Sequence, residues 1–383
     1  MDSVPPLALG HHFRDLADPR TGQSTHDLLD IVAIAICATI CGQHAWTDIE
    51  LYGETHHAWL KTFLRLPGGI PSHDTFRYVF SRLDPLAFQQ CFGRWIEALS
   101  QATDLKLIAI DGKALRDSLD RAHGKAALHL VSAWASENHL ALGQVATDAK
   151  SNEITAIPRL LELLDLAGAI VTIDAMGCQK DIAAKVQAAG ADYILAVKEN
   201  QPRLLEDIQA AVATHCDQAG RAGDQARWFE TVDEGHGRKE VRTYTLLTEV
   251  SGIRDRELWA GLYGICVVVS ERAVGSETAT EIRYYIGSLR GSVQQYARAI
   301  RGHWGIENGL HWVLDVVFRE DHSRSRPEHG AENLAWLRRM AVSLLRNDTT
   351  CERSVRQKSI KALCDHEFLL HLLSQVNGYK EGT

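Results

Sequence analysis

The chain has 383 residues, of which 45% are hydrophobic and 23% are charged, and its formal net charge is −8 at pH 7. This length allows two or three domains with a sizeable core, and the ordinary balance of apolar and charged residues excludes wholesale disorder. The negative charge argues against a protein that coats nucleic acid indiscriminately, although it does not exclude a local basic groove.

The cysteines and the apolar runs indicate a reduced, cytoplasmic protein with no membrane span. The eight cysteines include no Cys-x-x-Cys pair, and Cys37 and Cys41 lie one helical turn apart in an apolar run, as small core residues would. The longest apolar run, 31–41, is too short to cross a bilayer. The first ten residues have no basic flank and no long apolar stretch, so we expect no signal peptide.

Residues 1–100 are predicted to form a helical domain. Apolar periodicity and helix start signals predict helices over 28–41, over 46–64 and, after Ser72 as N-cap, over 75–83. The last of these helices carries Arg77 and Arg82, which suits a helix-turn-helix that reads the DNA major groove. A plain helical bundle with solvated arginines explains the pattern equally well.

Residues 101–215 alternate between strand and helix patterns. The predicted elements are a strand within 105–113, a hairpin over 126–135 and 140–147, a helix over 153–164, a strand over 169–176, a helix over 180–189 and a strand over 193–197. A hairpin followed by helical crossovers is the order of a ribonuclease H-like core, and right-handed crossovers allow the first and fourth strands to be neighbours. We therefore expect an α/β fold with a mixed sheet of this type.

Two of these strands carry an aspartate near the end. The strand over 105–113 is expected to stop at the turn pair Asp111-Gly112, and the strand over 169–176 delivers Asp174. Either residue alone reads as a turn or helix cap. If the two strands are neighbours, however, both carboxylates lie at one sheet edge, where a hard divalent cation finds the oxygen ligands it prefers.

The remainder of the chain is predicted to form two parts. Residues 216–290 form an all-β insertion, which would contact a partner. Residues 291–383 form helices that complete the core and are locally basic. Strands are expected at 228–232, 241–250, 262–271 and 281–289. The turn 235–238 offers Arg238 to a phosphate, although an ordinary solvated loop explains it at least as well.

Glu307 is the candidate third ligand. It follows the β insertion on a helix that Gly305 and Gly309 make thin, so that the helix can approach the sheet closely. Three carboxylates could hold two Mg²⁺ ions, or Mn²⁺ in their place, and such a pair activates a water or a 3′-hydroxyl for in-line attack on phosphorus. The alternatives to Glu307 are Asp315, Glu320 and Asp321.

The helix around Glu307 also allows a zinc site. Four residues spaced by four form a ladder on one face: His303, Glu307, His311 and Asp315. Two or three of them could bind zinc and give a metallohydrolase. The interpretation we prefer is that His303 and His311 orient the glutamate or contact DNA. Asn308 and Trp304 complete this supporting set, with Trp304 either a core residue or a surface on which a base stacks.

Several cations lie in motifs near the proposed site and are candidates for contacts to DNA phosphates, the alternative for each being a solvated side chain. Besides Arg77 and Arg82 these are Lys113, Arg116, Lys150, Lys198, Arg238 and Arg301.

At these residues the chain resembles a known family, the insertion-sequence transposases of the ISAs-one type, also called H-repeat-associated proteins. The resemblance runs from about residue 18 to residue 373. It rests on DPR at 18–20, GIPSHDTF at 69–76, AIDGKALRDS at 109–118, KSNEITAIP at 150–158, TIDAMGCQK at 172–180, KENQ at 198–201, GHGRKEVR at 235–242 and HWGIENGLHWVLDVVFRED at 303–321.

The resemblance implies a DDE transposase with a ribonuclease H-like core and an N-terminal helical domain. Its three acidic residues map onto Asp111, Asp174 and Glu307. The implied activity is metal-dependent cleavage at the terminal inverted repeats of an insertion sequence, with transfer of the 3′-hydroxyl to target DNA. The implied partners are double-stranded DNA and a second copy of the chain in a synaptic complex, associated with the nucleoid. A copy that binds DNA but no longer cleaves it is the alternative.

The wider class of DDE transposases with a β insertion carries a Tyr-Arg-Glu-Lys signature around the glutamate, and this chain departs from it. Ile300 and His303 occupy the places of Tyr and Arg, and Leu314 or Asp315 falls at the place of Lys. The resemblance therefore does not extend to cleavage through a DNA hairpin, as in that class.

Overall fold

A computed structural model describes residues 12–97, 106–118, 127–147, 152–219, 227–235, 237–325 and 328–374. The chain divides into two compact units. The first contains 1–103, 112–150 and 307–383, and the second contains 104–111 and 151–306. Each unit is assembled from separated segments, whereas the sequence predicts four consecutive domains, which stay a prediction.

The α-helices of the described residues range from four to eighteen residues in length. In chain order they are α1 (Leu28–Ile40), α2 (Trp46–Thr55), α3 (His57–Leu60), α4 (His73–Arg82), α5 (Pro85–Glu97), α6 (Glu153–Glu162), α7 (Lys180–Ala188), α8 (Pro202–Ala219), α9 (Val293–His303), α10 (Trp312–Val316), α11 (Gly330–Asn347), α12 (Val355–Cys364) and α13 (His366–Ser374). A five-residue π-helix, Glu307–His311, precedes α10. None of the helices in the described ranges is both long and apolar enough to cross a membrane.

The strands are β1 (Leu107–Leu115), β2 (Leu128–Ala135), β3 (Leu140–Ala146), β4 (Ile170–Ile173), β5 (Asp192–Val197), β6 (Trp228–Gly235), β7 (Arg238–Leu247), β8 (Gly264–Val274) and β9 (Glu277–Gly287). Strand β1 contributes its first part to the second unit and its last part to the first unit.

The first unit is built around the long helix α11. This helix packs against α1, α4 and α5, and Trp336 at its centre is fully buried. The predicted helix over 28–41 is confirmed as α1, which is apolar and buried along most of its length. Ser72 is confirmed as the N-cap of α4, where its hydroxyl accepts a hydrogen bond from the Thr75 amide. The predicted helix over 46–64 is divided into α2 and α3, because the backbone of His56 leaves helical geometry at φ −104°.

The first unit also contains the predicted hairpin. Strands β2 and β3 pair antiparallel, and the strand order is β3-β2-β1. The expectation that the first strand stops at Asp111 is wrong. The strand continues through Gly112 to Leu115, whose fully buried side chain packs against Leu130 and Ala335. Burial of Leu115 thus outweighs the local turn tendency of an Asp-Gly pair.

In the second unit the strand order is β1-β4-β5-β9-β8-β7-β6. Strands β1, β4 and β5 run parallel, with the crossover helices α6 and α7 between them in sequence. The orders 3-2-1 in the first unit and 1-4-5 in the second are those of a ribonuclease H-like core, so the predicted α/β fold class is confirmed. The helix α8 was not predicted.

The predicted β-rich insertion forms an antiparallel meander of β6 to β9. It does not form a sheet of its own. Strand β9 pairs antiparallel with β5, with Ile194 opposite Gly287 and Val197 opposite Tyr284, so the insertion extends the sheet of the second unit. Helix α9 covers this sheet, and its Tyr296 belongs to the same buried apolar cluster as Ile194.

Candidate active site

The predicted neighbourhood of the first and fourth strands is confirmed. Strands β1 and β4 pair in parallel, and Ile110 lies opposite Ile173. The next residues along the two strands are Asp111 and Asp174, and both are half-buried. Because neighbouring strands lie about 4.8 Å apart, the register brings the two aspartates to the same edge of the sheet.

Asp174 is held by the turn that follows it. Its Oδ1 accepts a hydrogen bond from the Met176 amide at 3.0 Å, which makes Asp174 the N-cap of a short 3₁₀ helix. Two side chains that follow β5 hold the same turn from outside. The amide of Asn200 donates to the Ala175 carbonyl at 2.6 Å, and that of Gln201 donates to the Cys178 carbonyl at 2.8 Å. The KENQ motif therefore fixes the backbone around Asp174.

The surroundings of Asp174 disfavour an unpaired negative charge. Burial and the neighbouring Glu153 carboxylate raise the pKa of Asp174, and the amides of the turn and the Lys198 ammonium only partly offset this. A bound cation would stabilise the ionised form. Glu153, the first residue of α6, is a neighbour that the sequence reasoning missed. In the sequence, Glu153 is recognisable only as the start of the predicted helix over 153–164, and in the structure Asn152 caps that helix.

Glu307 belongs to the first unit, whereas both aspartates belong to the second. It is exposed and opens the π-helix, a rare geometry that is frequent at functional sites. The expected role of Gly309 is supported, because a Cβ added there would lie 3.3 Å from the Trp134 ring of β2, so glycine permits this close approach.

The supporting residues occupy different places. His303 is half-buried at the end of α9, where its Nδ1 lies 3.1 Å from the hydroxyl of Thr172 in β4. Burial lowers the pKa of His303 to about 4, so the ring is neutral at pH 7. It therefore braces the strand that leads to Asp174. The Arg283 guanidinium lies over the Trp304 ring, 4.6 Å from the ring centroid.

The other two supporting residues lie in the π-helix. Asn308 is exposed, and its carbonyl accepts a hydrogen bond from Arg346 at 3.3 Å. His311 is half-buried at the last position of the π-helix. Among the described residues, no three His, Cys, Asp or Glu side chains are grouped as a metal site.

Lys113 lies in a cluster of carboxylates. Its ammonium is 2.7 Å from Asp315, 2.9 Å from Asp321 and 3.5 Å from Glu320, and only 9% of the side chain is exposed. Burial opposes the charge of Lys113, but these carboxylates raise its pKa above the ordinary value. The Lys113 ammonium therefore attaches β1 to the helix after Glu307, rather than facing solvent. Asp315, Glu320 and Asp321, the alternatives to Glu307, are engaged in this cluster.

The remaining cations predicted to bind phosphate differ in their exposure. Lys198 is exposed and acts electrostatically on Asp174. Arg116 is 82% exposed and lies 3.5 Å from Asp321. Arg238 and Arg301 are exposed in the second unit, and Arg301 is 3.3 Å from Asp233. Lys150 lies outside the described residues.

The two arginines of α4 are also exposed. Arg77 is paired with Asp74 at 2.9 Å. Arg82 stacks over the Tyr78 ring at 4.0 Å and lies 3.8 Å from Glu328.

Comparisons with known proteins identify the family. The model of the transposase DDE domain matches residues 102–344, and that of the region associated with this domain matches residues 10–96. The chain is 40% identical over 372 residues to the "H repeat-associated putative transposase YhhI" of Escherichia coli K12, a match that covers 96% of this chain and 97% of the relative. It is 42% identical over 357 residues to the "Putative transposase YncI" of Escherichia coli O157:H7, covering 92% and 90%.

A solved structure is similar at a lower level. The piggyBac transposase in a synaptic complex with hairpin DNA aligns with a TM-score of 0.42 and 10% identity, over 98% of this chain and 79% of that one.

Proposed function

The chain belongs to the family of DDE transposases, and we propose that it binds the terminal inverted repeats of an insertion sequence, cleaves DNA there and joins the 3′-hydroxyl ends to a target. The observation that carries this proposal is the register of β1 and β4, which brings Asp111 and Asp174 to one edge of a parallel sheet in a chain of this family.

We propose that Asp111, Asp174 and Glu307 hold two Mg²⁺ ions, for which Mn²⁺ can substitute. An all-oxygen donor set suits these hard cations. The raised pKa of Asp174, which arises from burial and from Glu153, describes a site where added positive charge is favourable. When bound, such ions activate a water or hydroxyl nucleophile and stabilise the leaving oxygen at phosphorus.

The residues of the chain do the positioning. Asp174 is fixed by the Met176 amide, and its turn is fixed by Asn200 and Gln201, so the carboxylate needs little rearrangement to bind a cation. The exposed Lys198 stands where it can attract the phosphate backbone of DNA to the same edge of the sheet.

The exposed arginines Arg116, Arg238 and Arg301, with Arg77 and Arg82 of α4, extend the proposed DNA contact beyond this edge. Each has a carboxylate neighbour, so contact with a phosphate would exchange one ion pair for another. A homodimer on DNA is proposed from the family alone, since the resemblance to DDE transposases implies synapsis of two element ends.

The test is incubation of the full chain with DNA that flanks its gene, with and without Mg²⁺, and mapping of nicks to the nucleotide. The wild-type chain should nick at the element ends only with the metal. Asp111→Asn, Asp174→Asn and Glu307→Gln should each abolish nicking while DNA binding persists, and Asp181→Asn, at an exposed site on α7, should behave as wild type. Undiminished strand transfer by the Asp111 or Asp174 variant would refute the assignment.

A wild-type chain that shifts inverted-repeat DNA but never nicks it would identify a copy that only binds DNA.

A further inference from the structure

A cavity of about 670 Å³ lies in the first unit, and none of its lining residues comes from β1 or β4. Its lining is strongly basic. Four arginines contribute, one from α4, two from the segment between α10 and α11, and one from α11 itself: Arg77, Arg319, Arg324 and Arg338. Among the described residues that line it, Asp48 is the one carboxylate, and its Oδ2 already accepts a hydrogen bond from the Ala45 amide at the start of α2.

Arg338 is the most informative of these side chains, because only 1% of it is exposed. Its Nη2 donates to the His44 carbonyl at 3.2 Å, whereas its Nε and Nη1 have no hydrogen-bond partner. Burial lowers the pKa of Arg338 to about 10 despite the opposing effect of Glu320, so the guanidinium stays charged at pH 7. A buried cation with two unused donors is costly unless an acceptor binds to it.

Other donors line the same cavity. The Nδ1 of His44 is buried and has no partner. Burial, together with the charges of Arg338 and Arg319, lowers the pKa of His44 to about 4, so the ring is neutral at pH 7. Arg319 and Arg324 are exposed, and within the described ranges neither forms an ion pair with a carboxylate.

The chemistry of these groups selects the ligand. Several arginines with unused N–H donors around one space favour a compact dianion or monoanion with many acceptor oxygens, and arginine matches phosphate in both charge and geometry. A cavity of this volume easily admits a phosphate group together with water. A metal cation or an apolar ligand would gain nothing from this lining.

We propose that the cavity lined by Arg77, Arg319, Arg324 and Arg338 binds a phosphate group, supplied by the DNA backbone or by free phosphate. The DNA source rests on the proposed function. In that case the cavity anchors the DNA through a contact that carries no sequence information.

The test uses the full chain and two probes, inorganic phosphate and a DNA duplex. The variants are Arg319→Gln and Arg324→Gln, because both side chains are exposed and their removal leaves the core intact. Arg356→Gln, an exposed arginine of α12 that does not line the cavity, is the matched control. We expect calorimetric titration to show phosphate binding by the wild-type chain and by the control, and at least tenfold weaker binding by each cavity variant.

The DNA arm measures binding across a salt series. If the occupant is a backbone phosphate, each cavity variant should lower the slope of log K against log salt by about one, whereas the control should change it less. Loss of phosphate binding without a change in slope supports the site and identifies free phosphate as the occupant.

Two results overturn the proposal: no phosphate binding by the wild-type chain together with an unchanged DNA slope in the variants, or equal phosphate binding by the wild-type chain and both variants. These failures are separable from a failure of the proposed function. Suppose that Asp111→Asn abolishes nicking, but Arg319→Gln and Arg324→Gln leave phosphate binding unchanged. The cavity proposal would then be refuted, and the active-site proposal would be supported.

Discussion

Replacement of Glu320 by Gln should strongly destabilise the first unit. Glu320 is completely buried, and its Oε1 lies 2.7 Å from Arg339 Nη1, which is also completely buried, while its Oε2 lies 3.5 Å from Lys113. At an effective dielectric constant of about 20, these separations correspond to gross attractions of roughly 6 and 5 kcal/mol, against which the desolvation of the charges must be set. Glu320→Gln removes the carboxylate partner of the buried Arg339 guanidinium, whereas Lys113 keeps Asp315 and Asp321, and breaking such a buried pair costs about 3–5 kcal/mol.

The assay is urea unfolding of the full chain at pH 7, followed by circular dichroism. Glu320→Gln should lower the free energy of unfolding by about 3–5 kcal/mol. The matched control Glu352→Gln, at an exposed position, should stay within about 0.5 kcal/mol of wild type. The double variant Glu320→Gln/Arg339→Met should be more stable than the sum of the single effects predicts, because neither buried charge is then left alone.

The pH dependence gives the same reasoning a second test. Burial raises the pKa of Glu320, but the charges of Arg339 and Lys113 outweigh it, so the pKa lies below its ordinary value. A carboxyl with a lowered folded-state pKa contributes stability above the unfolded-state pKa, and this contribution is lost as the pH falls through the folded-state pKa. The difference between wild type and Glu320→Gln should therefore shrink in acid. A deficit below about 1 kcal/mol at pH 7 would refute the reasoning.

Three further outcomes are expected. Asn200→Ala, which removes a donor to the turn after Asp174, should lower metal-dependent nicking by about 10- to 100-fold with little change in DNA binding, measured on element-end DNA. His303→Gln should remove a loss of stability of about 2–3 kcal/mol that the wild-type chain shows between pH 6.5 and pH 4, because the imidazole of the unfolded chain takes up a proton in this range while that of the folded chain stays largely neutral; thermal melts across this range check it. Gly177→Ala should destabilise by about 1–3 kcal/mol, since its Cβ would lie 2.3 Å from Ile173 Cγ2, whereas Gly93→Ala, in the open on α5, should be neutral or stabilising in the same urea assay.

Local patterns in the sequence were sufficient for most elements and for the strand pairing that matters. Each of these elements is recognisable from the types of a few consecutive residues. Examples are the apolar run of α1, the N-cap Ser72 and the strands on either side of the crossover helices. The right-handedness of those crossovers allows β1 and β4 to be neighbours, so the sequence alone was enough to predict Asp111 and Asp174 at one edge of the sheet.

Contacts between distant parts of the chain could not be predicted in this way. Lys113 and Asp321 are 208 residues apart in sequence, and nothing near Lys113 distinguishes an ammonium buried among carboxylates from one exposed to DNA. Strand β1 likewise continues past Asp111 because Leu115 is buried by residues from β2 and α11. The cavity around Arg338 could not be predicted from local patterns either, since its lining comes from segments that are up to 294 residues apart.

Electron paramagnetic resonance with Mn²⁺ can determine whether Asp111, Asp174 and Glu307 bind one pair of metal ions. The wild-type chain should bind two Mn²⁺ ions whose spectrum shows coupling over about 4 Å. Asp111→Asn, Asp174→Asn and Glu307→Gln should each abolish the coupled signal, and Asp181→Asn should retain it. A coupled signal that persists in any of the three carboxylate variants would show that the substituted carboxylate is not needed to hold the ion pair.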